Sequence, residues 1–297
     1  MRIMHVASVG AVADGFYGPA AVARRFGEDA VPGGPAISLE ALDAMAAAFR
    51  QRTQQRYIDK AVETGLKALN DAVEALSLDQ PSLNGDPTRV GILIATNLGP
   101  AATRDQYLHS YVQRKGRSAS ATLFSNCGYN IVGAMLARSC NIRGPVLTFG
   151  AGGEPCAILD VARRLLNGNR ADRLFVGRAE TDNAIVVSFT RDKSPSALNA
   201  RRLFIEAGVA TPDSRRCRYL LSIEQDDSTG RSGSGRLGPT LAKEGERLSS
   251  ADSDNDILWR IARLWWQTLF TAVPRTASAE QETAASIFAQ VSGEARA

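Results

Sequence analysis

Residues 144–180 read GPVLTFGAGGEPCAILDVARRLLNGNRADRLFVGRAE, and the order of elements in this stretch decides the fold. Gly144 and Pro145 open it, and the apolar run 146–149 predicts a strand buried on both faces. Ala151-Gly152-Gly153-Glu154 reads as a turn. Pro155 suits the first position of a helix, where its missing N–H costs nothing, and the spacing predicts that helix over 155–166. A further strand follows at Leu174-Phe-Val-Gly177. Strand, sharp turn, helix and strand within 37 residues is the unit of a layered α/β sandwich.

Working outward, Val90-Gly-Ile-Leu-Ile-Ala95 is a second continuous apolar run and reads as another buried strand. Residues 185–189 and 219–223 predict two more strands, and residues 2–12 a short buried strand ending near Gly10. A Gly/Pro-rich loop is expected from there through Pro32-Gly-Gly-Pro35, with a capped helix start after Ser38. Residues 52–76 read as a helix, because Ile58, Val62, Leu66, Leu69, Val73 and Leu76 recur every three or four positions. Residues 84–87 read as a turn and 130–139 as a helix carrying small residues. Composition then changes. Residues 226–256 are rich in Ser, Gly and Asp and read as a flexible linker. Residues 257–297 read as a C-terminal helical extension, whose apolar stripe includes Ile261 and Trp265 and which holds all three tryptophans. The first domain is expected to span 1–225.

Several function classes are disfavoured. The net charge of +4 is spread along the chain without a block of like charges, so no nucleic-acid partner is expected. No apolar stretch approaches the length of a membrane span. Cys127, Cys140, Cys156 and Cys217 form no CxxC pair, so neither a metal nor a redox dithiol is expected, and scattered single cysteines suit a reducing cytoplasm. No motif calls for a cofactor. Gly233, Gly235 and Gly238 match G-x-G-x-x-G but do not directly follow a strand, and read as linker. Asp252, Asp254 and Asp256 resemble the start of a calcium loop, but its twelfth position is Arg263; Asp256 reads better as a helix N-cap.

The 144–180 stretch resembles the nucleophile segment of the β-ketoacyl synthases. In that family a strand after Gly-Pro ends in a sharp turn carrying cysteine, the next helix runs to a Gly-x-Ala-Asp turn, and a strand ends in Gly-Gly-x-Glu. Gly144, Pro145, Ala162, Gly168, Ala171, Asp172, Gly177 and Glu180 match that frame. Residues 90–95 look like the family's Val-Gly-Val-Val strand, and 124–137 like a segment of its dimer interface. The resemblance covers roughly residues 1–225. It implies a thiolase-like layered sandwich, the N-terminal half only, with added C-terminal helices.

The departures carry the functional reading. Alignment on Gly168 places the family's cysteine at Ala151; alignment on Asp172 places it at Gly152, because Asn169-Arg170 lengthens the turn by one residue. Neither side chain can attack a thioester. The resemblance also implies two catalytic histidines and a lysine from a second half, yet the chain has only His5 and His109, both outside any matching motif. Glu154 places a carboxylate in the first helical turn, which suits the helix dipole and would repel a malonyl group.

Three readings stay open. The first is a catalytically silent, chain-length-factor-like subunit that pairs with an active ketosynthase in polyketide or fatty-acid-like biosynthesis, with an acyl carrier protein as a further candidate partner. The second is a divergent acyl-thioester-processing enzyme using Cys156, whose place in a first helical turn would lower its pKa. The third is a stand-alone acyl- or carrier-protein-binding module. Against the second, free cysteines are usually buried packing residues, and Cys156 lacks a partner histidine. Cys127 and Cys140 read as packing residues and His109 as a surface histidine.

Overall fold

The computed structural model describes residues 3–14, 16–26, 44, 47, 58–76, 86–117, 120–150, 157–191, 201–207, 219–225, 245–248, 258–263 and 265. The element order is β1 (Ile3–Ala13), β2 (Phe16–Tyr17), α1 (Gly18–Phe26), α2 (Lys60–Leu76), β3 (Val90–Ala95), α3 (Ala101–Gln113), α4 (Ala121–Asn126), α5 (Asn130–Ser139), β4 (Val146–Phe149), α6 (Ala157–Asn167), β5 (Arg173–Ala179), β6 (Asn183–Thr190), β7 (Arg201–Ala207), β8 (Tyr219–Gln225) and β9 (Gly245–Leu248). A last helix, α7, takes residues 258–263 and 265. The strands form one sheet in the order β4-β3-β5-β6-β1-β7-β8-β9, with β2 paired to β1. β3 runs parallel to β4 and β5, and the other pairs are antiparallel.

Strand alternation feeds two cores. Leu93, Leu174, Val176, Val187 and Phe189 face α1, α6 and α7. Ile92, Ile94, Phe175 and Val186 face α2 and α5. Each fully buried Leu, Ile or Phe among them stabilises the fold by about 1.5–3 kcal/mol. β1 keeps its apolar residues on the first core along its whole length only because its register shifts between Val6 and Ser8. Met4 and Val6 lie in the first core, and so do Val9, Ala11 and Ala13. The apolar positions change from even to odd numbers, and the irregularity absorbs the extra residue.

α2 lies directly on β1. A Cβ on Gly10 would stand 2.1 Å from the Ala68 carbonyl oxygen, so only glycine permits this approach. The contact is held by Ser8 Oγ donating to the Ala72 carbonyl at 2.7 Å and by the Ala11 N–H donating to Asp71 at 3.0 Å. Asp59 caps the start of α2 by accepting the Ala61 N–H at 3.0 Å, and its second oxygen accepts the Thr103 N–H and hydroxyl at 2.9 and 3.0 Å. One buried carboxylate thus joins the beginnings of α2 and α3.

The expected α/β layers are present, with specific corrections. Residues 18–26, read as part of a loop, form α1. β1 runs on to Ala13 rather than ending near Gly10. β4 is a strand but not a buried one: among the described strands it lies at the sheet edge with one neighbour, and Val146 and Leu147 are 37% and 41% exposed. β7 and β9 are strands without a clear sequence signal, and β9 falls within 226–256, where it pairs with β8. α7 packs on this chain: Leu258, Trp259, Ile261, Ala262 and Trp265 belong to the core under α1 and α6. Ser38, Asp256, the 233–238 glycines and the helix expected beyond Pro274 lie outside the described residues.

Candidate functional site

The carboxyl ends of β3, β4 and β5 lie together, the position at which open α/β sheets bind ligands. The Thr96 N–H donates to the Phe149 carbonyl at 2.9 Å, carrying the β3–β4 pairing one residue past the strand. From Phe149 the chain leads to Gly150 and on to α6. The intervening residues 151–156, and with them Ala151, Gly152, Glu154 and Cys156, lie outside the described residues.

What surrounds that turn is defined. Glu180 Oε1 accepts the Asn97 N–H at 2.7 Å and the Arg178 Nε–H at 3.1 Å. Its Oε2 takes the Thr96 hydroxyl at 3.5 Å, and Thr96 Oγ1 in turn accepts the Gly99 N–H at 2.9 Å. Glu180 therefore ties the segment leaving β3 to the end of β5. Arg178, 9% exposed, lies on the same sheet face as Leu174 and Val176, toward α6. The family pattern has its second glycine at this position. The sequence carries that signal as a broken Gly-Gly pair at Gly177-Arg178.

The other motif residues serve the scaffold. A Cβ on Gly144 would meet the Val90 carbonyl oxygen at 2.4 Å, so β4 can enter the sheet beside β3 only through glycine. Ala162 and Ala171 are fully buried. Asp172 receives a two-pronged hydrogen bond from Arg89, Nε at 2.8 Å and Nη2 at 2.6 Å. The Arg89 hydrogen bond holds the Asp172 carboxyl below its ordinary value and raises the Arg89 guanidinium in return. Arg89 Nη1 also donates to the Asn169 carbonyl at 2.9 Å. Asn169, one of the two residues that lengthen this turn, sits at φ +56°, in the left-handed region asparagine tolerates.

The sequence-level candidates are not brought together. His5 pairs with Thr190, which pairs with Arg173 at the start of β5. That is the end of the sheet opposite the turn, about 20 Å away at the rise of a strand. His109 is exposed on α3, its Nε2 2.8 Å from the Gln113 amide nitrogen. Cys127 caps α4 with its Sγ donating to the Phe124 carbonyl at 3.0 Å, and Cys140 caps α5, packed against the second core. Among the described residues no group of His, Cys, Asp or Glu could hold a metal ion, and no helix is long and apolar enough to cross a membrane.

A second surface stands out. α3 buries only Thr103, while Leu108, Tyr111 and Val112 are 48%, 44% and 72% exposed. Tyr107 lies against both Tyr111 and Phe124, with ring centroids 6.1 and 5.6 Å apart. Tyr129 and Leu98 continue the exposed apolar set, and Arg104 stacks on the Tyr129 ring at 5.7 Å.

The sheet with helices on both faces and the strand–turn–helix at its carboxyl edge define a thiolase-like sandwich. The family profile of the beta-ketoacyl synthase N-terminal domain matches residues 19–197, and the chain belongs to that family. Among solved structures it is similar to "The ishigamide ketosynthase/chain length factor", with a TM-score of 0.50, 16% identity, and coverage of 71% of this chain and 68% of that one. It is also similar to a chain of a type II polyketide synthase complex, described as an acyl-carrier protein with its ketosynthase bound to the hexaketide. There the TM-score is 0.44 and the identity 14%, over 64% of this chain and 63% of that one. Comparison with curated protein sequences gives no match.

Proposed function

We propose that the protein is a catalytically silent ketosynthase-like subunit that pairs with an active ketosynthase in polyketide or fatty-acid-like biosynthesis. The observation that carries this reading is the replacement of the attacking group on a retained scaffold. Glu180 keeps the geometry beside the turn, and Gly144 and Asp172 keep the far ends of the strands that lead to it, while the nucleophile position falls at Ala151 or Gly152. Arg178 adds to it, since a guanidinium fills space on the α6 side where the pattern leaves a hydrogen. His5 lies at the opposite end of the sheet, too far to assist decarboxylation, and His109 lies outside any matching motif. Pairing is supported by the free edge of β4 and the exposed apolar residues of α3 and α4, because patches of this kind mark interaction sites. One solved relative is itself described as a ketosynthase with a chain length factor. An acyl carrier protein is a further partner of the assembled pair.

The reading is tested by native purification from the source cells, with partners identified by mass spectrometry. A full-length ketosynthase that keeps its cysteine and histidines, recovered one-to-one, is the expected result. Recovery of the protein alone or as a homodimer would overturn it. Rapid iodoacetamide labelling of Cys156 at neutral pH, with thioester turnover lost in Cys156→Ala, would instead make the chain an enzyme.

A further inference from the structure

Polar residues interrupt the α2 face of the sheet at one end. Arg173, Thr190 and His5 are consecutive partners across β5, β6 and β1, and one step along, Ser188 and Ser8 are partners. Alternation places them on one face: Phe175 and Val186, on the same strands, belong to the α2-side core, and Ser8 Oγ reaches Ala72 of α2. His5, Ser8, Ser188 and Thr190 are all at most 9% exposed, and Ser188 is fully buried. Directly opposed side chains on a strand pair stand about 5 Å apart and diagonal ones about 7–8 Å. Arg173 can therefore lie over Thr190 and share a bound group with Ser188.

The accounting of charge and hydrogen bonds is unequal. Arg173 is half-buried, and among the described residues nothing pairs with its guanidinium; burial alone pushes it below the usual arginine range. Its sequence neighbour Asp172 is taken up by Arg89. Arg89 and Arg191 both donate to Asn169 Oδ1, at 2.6 and 3.2 Å, so a second and a third guanidinium flank the same end of the sheet. Among the described residues the Ser188 hydroxyl has no hydrogen-bond partner. A desolvated cation and a buried hydroxyl without partners are both costly unless an acceptor meets them. Arg173, whose guanidinium no described carboxylate meets, favours an anion there.

We propose that Arg173, Ser188 and Thr190, with His5 at the rim, form a binding site for a small oxyanion, a carboxylate or phosphate, at the end of the sheet opposite the altered nucleophile turn. The site is independent of the pairing surface. The test is thermal unfolding of the full-length chain titrated with inorganic phosphate and, separately, with acetate, at constant ionic strength set by chloride. A ligand that binds only the folded state raises Tm saturably. We expect such a rise with at least one oxyanion, an apparent Kd at least tenfold weaker in Arg173→Gln, and no change in Arg170→Gln, a neighbouring exposed arginine. Absence of a saturable rise in the unmodified protein, or an undiminished rise in Arg173→Gln, would overturn the site. Should Arg173→Gln fail to fold, Ser188→Ala removes one hydroxyl and is expected to weaken the apparent Kd about threefold or more; unchanged affinity there would also overturn it.

Discussion

α2 and α3 are neighbouring helices of 17 and 13 residues, joined at their beginnings by Asp59, and they have opposite relations to the core. α2 buries Ala61, Val62, Leu66, Ala68, Leu69 and Ala72, each at most 2% exposed, against β1 and β6. α3 buries only Thr103 and turns leucine, tyrosine and valine outward. Fold stability therefore concentrates at the α2–β1 contact, while α3 offers surface that the described residues leave uncovered. Substitutions in the two helices should separate folding from association.

The largest effect is expected at Gly10. A valine there would drive its Cβ into the backbone of α2, which a side-chain rotation cannot relieve, and Gly10→Val should abolish cooperative unfolding seen by circular dichroism. A Gly10→Val protein with unchanged Tm would break the claim that α2 rests on β1 backbone to backbone. Next is Asp59→Ala, which removes a helix cap and leaves the Thr103 N–H unsatisfied. We expect a loss of about 2–3 kcal/mol in urea unfolding, and a loss under about 0.5 kcal/mol would show that the two helices are not coupled there. The paired variant Val112→Ser with Tyr111→Ser should change stability by no more than about 0.5 kcal/mol each, yet weaken association with the proposed ketosynthase partner at least tenfold by co-purification yield or titration. Retained association would remove α3 from the pairing surface.

The smallest effect concerns Arg89 and Asp172. The Asp172 carboxyl is held below its unfolded value, so its contribution is present above the ordinary carboxylate pKa of about 4 and is lost as pH falls through the lowered, folded-state value. The pair is largely exposed and so worth little. Arg89→Met should lower Tm slightly at pH 7, and the difference from the unmodified protein should shrink below pH 4. A difference that is constant down to pH 2 would assign the Arg89 effect to its contact with the Asn169 carbonyl instead.

Much of the fold was legible because its central strands are unambiguous. β3 is apolar at five of six positions and proves buried at every one. β5 and β6 behave similarly. α1 was missed because nine residues behind Gly18 and Pro19 look like loop when a Gly/Pro-rich stretch follows. β4 was misread in burial because Val-Leu-Thr-Phe is apolar whether or not another strand lies beyond it. Glu180 beside the candidate site, and Gly144 and Asp172 at the far ends of the same strands, were legible in the spacing that carried the family resemblance. Arg178 was visible as a broken glycine pair, but its burial beside Glu180 was not. The Arg173–Thr190–His5 row had no sequence signal, since its members are far apart in the chain and become neighbours only through strand register.

By itself the sequence determined the alternation of buried strands and amphipathic helices, the frame around the turn, and the absence of cysteine at either aligned position. Those are local properties, set by side-chain periodicity and residue identity. Only the tertiary structure decided that β4 is an edge, that the α7 tryptophans cover this chain's own core, and that arginine, threonine and histidine from three strands share one face. Each of these depends on which strand lies beside which, and backbone hydrogen bonding sets that without regard to distance along the chain.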